Sequence, residues 1–367
     1  MYKDNGYENV LCIRADNMGD VIMASPAFRA LKETFGSKIT LLTSNAGSII
    51  APFIECVDDV MVVDLPWVQS KSTDNATLES LANDLKQKSF DAAVIFTVYS
   101  QCALPAAMLA FMAGIPVRLA YARENPYQLL THWMPDPEPY EMIRHQVERD
   151  LELVKHIGAE TTKKRLGLNI QETDREVLTT VLANMDIDIR KPFIVLHPGV
   201  SEEKRQYPVE HWIETGRALA QQYQMPILVS GSAAERELAG HIAAEIGQSA
   251  ASVAGIFAIG AFICLIEKAS LLISVNTGTI HIAAATQTPM IVLYAQTNPQ
   301  HTPWNCQHRI LEFSVPEHLR SRNMVIRHVT ETLYADYVAY PSPKQILAET
   351  DLLISAGLPG RTTPAFL

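Results

Sequence analysis

Short β-branched apolar runs alternate along this chain with longer stretches in which apolar residues recur every three or four positions. The first run is Val10-Leu11-Cys12-Ile13, followed by Ile39-Thr40-Leu41-Leu42, Val60-Met61-Val62-Val63 and Ala93-Val94-Ile95-Phe96. Runs this short and this continuously apolar suit strands buried on both faces of a parallel sheet. Between the first two, Val21, Ala24, Phe28, Leu31 and Phe35 line one face of a helix. Pro26 sits inside that pattern. Proline lacks an N–H and crowds the preceding turn, so the helix either starts again there or kinks.

A helical stretch around Arg175–Asn184 ends in Met185-Asp186-Ile187-Asp188-Ile189-Arg190-Lys191-Pro192, which is short, polar and closed by proline, and reads as a linker. The alternation then restarts. Strand patterns fall at Phe193–Leu196, Ile227–Val229, Leu271–Ile273 and Met290–Leu293, with helical patterns such as Val209–Gln222 and Ala233–Ile246 between them. The most apolar window, Gly255–Ser274, contains Glu267 and Lys268, and reads as a core helix followed by a strand rather than a membrane span. A less regular stretch, Glu312–Tyr340, precedes a last helix at Ser342–Ile354. Two successive βαβ series predict an α/β chain of two Rossmann-like parallel-sheet domains. The expected boundaries are 1–185, 186–341, and a C-terminal helix and tail at 342–367 that can pack back on the first domain. Ligands in such folds bind beyond the carboxyl ends of the strands, so a central cleft faced by both domains is the expected site.

Composition narrows the function. At 367 residues the chain is long enough for two domains, and 48% hydrophobic residues supply their cores. Lys and Arg number 30 against 40 Asp and Glu, a net charge of −10, which disfavours non-specific nucleic-acid binding. No block of basic residues occurs, so any anion site must be local. Cys12, Cys56, Cys102, Cys264 and Cys306 are odd in number and scattered, and are expected as small buried hydrophobes in a reducing compartment. The polar start, Met1–Gly6, is no signal peptide, and the expected location is the cytoplasm.

Three segments carry chemistry. Arg14-Ala15-Asp16-Asn17-Met18-Gly19-Asp20 leaves the first strand and opens the first helix. Gly19 permits a sharp turn and close approach to a ligand. Asp20 suits a helix-capping acid and a catalytic carboxylate alike. No G-x-G-x-x-G fingerprint is present, which disfavours a dehydrogenase. His197-Pro198-Gly199-Val200-Ser201-Glu202-Glu203-Lys204-Arg205-Gln206-Tyr207-Pro208 follows the first strand of the second series, and Ser201, Lys204 and Arg205 can clamp a phosphate. In Asn276-Thr277-Gly278-Thr279-Ile280-His281 a strand ends and a small-residue helix begins, so free amides and Thr hydroxyls there make an anion site. His281 has no partner at metal-ligand spacing, and no metal is expected.

Ile13–Asp20 with Pro26-Ala27-Phe28-Arg29-Ala30-Leu31 resembles the N-terminal signature of the ADP-heptose:lipopolysaccharide heptosyltransferases, glycosyltransferase family 9. So does His145-Gln146-Val147-Glu148-Arg149, ahead of an apolar helix. The His197-Pro198-Gly199 loop with Lys204, Arg205 and Tyr207-Pro208 resembles the family's phosphate loop, and Thr277-Gly278 with His281 its donor signature. The set spans most of Val10–Pro303 in the family's order.

The resemblance implies a GT-B fold, with an N-terminal acceptor domain and a C-terminal domain for the nucleotide-sugar donor. It implies an inverting, metal-independent transfer of a sugar such as heptose, with Asp20 as general base. Arg14, Asn17 and Gly19 would form the acceptor-side loop. Ser201, Lys204, Arg205, Asn276, Thr277, Gly278, Thr279 and His281 would form the donor and phosphate site. The acceptor would be a glycan or lipid-linked sugar, placing the protein at the inner face of the cytoplasmic membrane as a peripheral contact. Counted from His197 the family's phosphate lysine falls on Lys204, and counted back from Tyr207-Pro208 it falls on Arg205. The family usually has Asp before Thr-Gly, where this chain has Asn276, and Trp at Tyr207. A GT-B-shaped sugar-nucleotide epimerase and a non-catalytic nucleotide-sugar-binding homologue are the alternatives, the second favoured by Asn276.

Overall fold

The computed structural model describes residues 6–68 and 75–355. The polar start at 1–5 and the tail beyond 355 lie outside the described residues. The first sheet contains β1 (Asn9–Ile13), β2 (Lys38–Thr43), β3 (Asp59–Val62), β4 (Ala92–Ile95), β5 (Val117–Ala122) and β6 (His132–Pro135). Its helices are α1 (Met18–Phe35), α2 (Asn45–Ser48), α3 (Asn75–Gln87), α4 (Leu104–Met112) and α5 (Gln146–Lys155). The second sheet contains β7 (Ile194–His197), β8 (Ile227–Val229), β9 (Ala250–Ser252), β10 (Leu271–Val275), β11 (Met290–Ala295) and β12 (His308–Phe313). Around it run α6 (Glu172–Asn184), α7 (Val209–Tyr223), α8 (Arg236–Ile246), α9 (Ile259–Lys268), α10 (Gly278–Thr286), α11 (Met324–Leu333) and α12 (Pro343–Ser355).

Every pairing between these strands is parallel. The first sheet has the order β3-β2-β1-β4-β5-β6 and the second the order β12-β11-β10-β7-β8-β9. Read from the opposite edge, the second order repeats the first, so each sheet is of Rossmann type with a reversal beside its first strand. The reversals fall between β1 and β4, and between β7 and β10. The apolar runs fill the sheet centres, where Leu11, Ile95, Leu196 and Ile273 are almost wholly buried.

Four strands escape the apolar-run pattern, and three of them, β6, β9 and β12, are sheet edges with partly exposed residues. An edge strand is solvated where a central one is covered, so a continuous apolar run is not required of it, although the edge strand β3 keeps one. The fourth, β5, carries Arg118, whose guanidinium turns back to donate to the Leu129 and Gln128 carbonyls at 2.7 and 2.8 Å. The irregular stretch expected at 312–340 contains α11.

Helix α1 runs unbroken through Pro26. Proline cannot donate to the Ile22 carbonyl, and the Ser25 hydroxyl does so instead at 2.7 Å. The same oxygen accepts the Gly167 amide at 3.0 Å.

The chain divides into two compact units at Asn169/Ile170, sixteen residues before the boundary expected at 185/186. Helix α6 is the reason. It packs on α9, Arg175 donates to the Glu267 carboxylate at 3.0 Å, and a Cβ on Gly260 would stand 2.2 Å from Asp174. The first unit also takes in Pro299–Thr302 and Asn323–His328. The C-terminal helix α12 packs on α7 and β12 within the second unit, with Ile346 and Leu353 fully buried. Cys12 and Cys264 are buried as expected, but Cys102 is exposed and Cys56 and Cys306 are half-buried.

Replacing Ser25 by Ala strands the Ile22 carbonyl and the Gly167 amide in a buried setting. The expected cost is about 1–3 kcal/mol, seen as a lower urea midpoint with an unchanged denaturant slope. An unchanged midpoint would show that water replaces the hydroxyl.

Candidate active site

In the first unit the segment after β1 crosses the carboxyl edge of the sheet beside β4, at the reversal in strand order. Arg14 is fully buried there and holds two carboxylates. Its Nη2 donates to Asp20 Oδ1 at 2.9 Å, and its Nε lies 3.2 Å from Asp16 Oδ2. Arg14 was expected on an acceptor-facing loop, but a side chain with no exposed surface cannot meet an acceptor, and its guanidinium braces the acids instead. Asn17 is exposed and Gly19 buried. Asp20 Oδ2 accepts the Asn17 amide at 3.2 Å, so the carboxylate caps α1. His301 Nε2 stands 3.5 Å from Asp20 Oδ1.

Further acids gather behind Arg14. Asp150, on α5, is buried, with Oδ1 accepting from Gln146 at 2.7 Å and Oδ2 without a partner. Burial pushes its carboxyl up to about 7, against the pull of Arg14 and Gln146. Burial, helped by the Asp20 charge, likewise raises Asp16 to about 6, with Arg14 and Gln101 pulling the other way. Burial opposes the charge on Arg14, but Asp16, Asp20 and Asp150 outweigh it and raise the guanidinium above its ordinary value.

A second ionic knot adjoins this one. Arg149 donates to both Asp136 oxygens at 2.8 and 3.0 Å and to Glu138 at 2.7 Å. Gln300 donates to Glu138 at 2.8 Å and accepts the Tyr99 amide at 3.2 Å. His145 caps α5 by accepting the Val147 amide on Nδ1 at 3.1 Å. Its Nε2 therefore carries the hydrogen and donates to the Thr302 carbonyl at 2.8 Å. Asp136, Glu138, Asp150, Gln300 and His301 were missed in the sequence. They lie far apart along the chain, and the fold alone assembles them. The His145–Arg149 motif was visible, but not its bracing role.

In the second unit the phosphate-loop and donor-signature segments meet at the other reversal, where His197 on β7 pairs with Ser274 on β10. Burial lowers His197 to about 4, and its Nδ1 contacts the Ser230 hydroxyl at 3.0 Å. Pro198-Gly199 makes the turn because of close approach, since a Cβ on Gly199 would lie 2.3 Å from the Glu235 carboxyl. Ser201 is exposed. Lys204 pairs with Glu202, and Arg205 donates to Glu202 at 3.3 Å and to the Asn276 carbonyl at 3.1 Å. Arg205 therefore ties the loop to the start of α10, while Lys204 has no such tether.

Asn276 serves the backbone. Its amide donates to the Ala295 carbonyl at 3.1 Å and the Thr297 hydroxyl at 3.0 Å, and its carbonyl accepts the Ala295 amide at 3.1 Å. A carboxylate could not supply the two donated bonds, so the Asn is accounted for by its clamp between β10 and β11. Thr277 opens α10 with Oγ1 buried and without a partner. The amides of Gly278 and Thr279 belong to the helix's first turn, where intrahelical partners are lacking and the dipole favours an anion. Thr279 and His281 are buried beside them. Among the described residues no group of three or more His, Cys, Asp or Glu is arranged to hold a metal ion.

Two parallel six-stranded sheets of this strand order give the chain the two-domain α/β fold of the GT-B class. The family model of glycosyltransferase family 9 (heptosyltransferase) matches residues 78–327, and the chain belongs to that family. It is a glycosyltransferase. The chain is 25% identical over 303 residues to the lipopolysaccharide core heptosyltransferase OpsX of Haemophilus influenzae, covering 80% of this chain and 82% of that protein. A family 9 glycosyl transferase from Veillonella parvula superposes with a TM-score of 0.79 at 16% identity, covering 97% of this chain and all of the other, 100%. The E. coli ADP-heptose lps heptosyltransferase II superposes at 0.70 with 19% identity, covering 95% and 99% of the two chains.

Because its folded pKa is raised, Asp150 contributes stability that is present below its ordinary carboxylate range and lost as pH rises towards about 7. Asp150→Asn removes the buried charge and keeps the bond from Gln146. It is expected to raise Tm at pH 8, by an energy on the order of a few kcal/mol, and to raise it by less at pH 5. Equal shifts at both pH values would refute the raised titration.

Proposed function

We propose that this glycosyltransferase moves heptose from ADP-heptose to a sugar of the lipopolysaccharide core, with inversion at the anomeric carbon. The observation that carries the donor assignment is the Arg205–Asn276 bond, which fastens the basic loop to the open start of α10 at the β7/β10 reversal. The names of the relatives supply the sugar and the acceptor class. A core sugar carried on lipid would bring the protein to the inner face of the cytoplasmic membrane. Among the described residues no helix is long and apolar enough to cross a membrane.

The acceptor oxygen attacks the anomeric carbon from the face opposite the diphosphate. Its proton passes to Asp20, the new C–O bond forms, and the bond to the diphosphate oxygen breaks. Positive character develops at the anomeric carbon as in other glycosyl chemistry. The departing diphosphate gains charge, which the amides of Gly278 and Thr279, the Thr277 and Ser201 hydroxyls, Lys204 and Arg205 receive. Glu202 neutralises both cations in the free protein, and the diphosphate takes its place. With these donors in position the transfer runs without a metal ion. Arg14 pairs with Asp20 and aims its carboxylate. Asn276, the feature that favoured a non-catalytic homologue, is explained by its backbone clamp.

The test is transfer of heptose from ADP-heptose to lipopolysaccharide core, read as ADP release and as the anomeric configuration of the product. Retained configuration would sink the inverting mechanism, and no release with any core acceptor would sink the acceptor class. Asp20→Asn is expected to keep donor binding and lower turnover at least about a hundredfold. Unchanged turnover removes Asp20 from the role. A double Lys204→Ala, Arg205→Ala change is expected to weaken ADP binding by at least about tenfold in calorimetry, a loss of roughly 1.4 kcal/mol. Equal affinity refutes the clamp.

A further inference from the structure

We propose that His301 is a positioning residue for Asp20, and that the two accept the acceptor's proton as a pair, the proton coming to rest on the imidazole. The inference rests on the reading of Asp20 as base and extends it to a residue far along the chain.

Three observations carry it. The His301 Nε2 lies 3.5 Å from Asp20 Oδ1, at the outer limit of hydrogen-bond range. The segment that bears it is anchored on both sides. Gln300 is fully buried and held by Glu138 and the Tyr99 amide, and the Thr302 carbonyl is held by His145. The ring between these anchors is 23% exposed, so it can pass a proton on to solvent.

Both oxygens of Asp20 are engaged. Arg14 donates to Oδ1 and the Asn17 amide to Oδ2, and both contacts favour the ionised carboxylate. Asp16 and Asp150 stand behind the same guanidinium and are engaged by Gln101 and Gln146. Glu138 and Arg149 reach the segment through Gln300, and His145 through Thr302. Asp20 faces the His301 ring through Oδ1.

The step balances without a co-reactant. The acceptor O–H bond breaks as its oxygen bonds to the anomeric carbon, the bond from that carbon to the diphosphate oxygen breaks with its electron pair leaving on the diphosphate, and the proton goes to Asp20. Asp20 then gives that proton to Nε2 of a neutral ring whose hydrogen is on Nδ1. The products are a carboxylate and an imidazolium, and the imidazolium returns the proton to solvent.

The test uses the full chain with ADP-heptose and lipopolysaccharide core. His301→Gln keeps a hydrogen-bond donor but cannot take up a proton. It is expected to lower kcat at least about tenfold, to leave KM for the donor within about twofold, and to remove the acid limb of the kcat–pH profile in the imidazole range. Unchanged kcat overturns the proposal, and so does a lowered kcat with the acid limb retained. As an independent reading, the His301 imidazole titration followed by NMR should have a lower midpoint in Asp20→Asn than in the native chain. An unmoved midpoint overturns the pairing. Full turnover in Asp20→Asn would instead sink the reading of Asp20 as base, so the two failures are distinguishable.

Discussion

A parallel sheet sends the carboxyl ends of all its strands to one edge, and where the strand order reverses, the flanking connections leave in opposite directions. That geometric constraint opens a gap in the covering layer at two places here, beside β1 and β4 and beside β7 and β10. Backbone N–H groups and side chains that would be buried elsewhere are presented there. The segment after β1 occupies the first gap, and the phosphate loop and donor turn share the second.

The two gaps are chemically opposite. The first holds Asp16, Asp20 and Asp150 around a single buried guanidinium, an arrangement suited to a proton. The second holds Lys204 and Arg205 beside the start of α10, an arrangement suited to negative charge. Burying so many charges is costly unless each is paired and hydrogen-bonded, and hydrogen bonding is incomplete at Asp150 Oδ2 and at Arg14 Nε and Nη1. A large share of the ionic structure is therefore bracing. Arg149 grips Asp136 and Glu138, Glu138 grips Gln300, and the segment carrying His301 is held in position as a result.

The sequence made the central strands legible because both their faces are buried and their apolar runs are unbroken. It concealed β6, β9 and β12 because edges are partly solvated, and β5 because Arg118 interrupts it while satisfying carbonyls that a periodicity argument cannot see. The polar, proline-ended stretch at 185–192 looked like a linker, yet the chain divides at Asn169/Ile170, because α6 is claimed by α9 and Glu267. Pro26 looked like a break, and the Ser25 hydroxyl makes good the missing bond.

What the sequence determined by itself was local: the strand–turn–helix segments, the placing of Asp20 and Thr277 at helix starts, and the basic pair in an acidic chain. These follow from periodicity, turn chemistry and charge, which act over a few residues. Tertiary structure decided which segments meet. It buried Arg14, fastened Asn276 to Ala295, and brought Asp150 and His301 to a segment more than a hundred residues away. Those pairings depend on sheet order and close packing, which no short stretch of residues encodes.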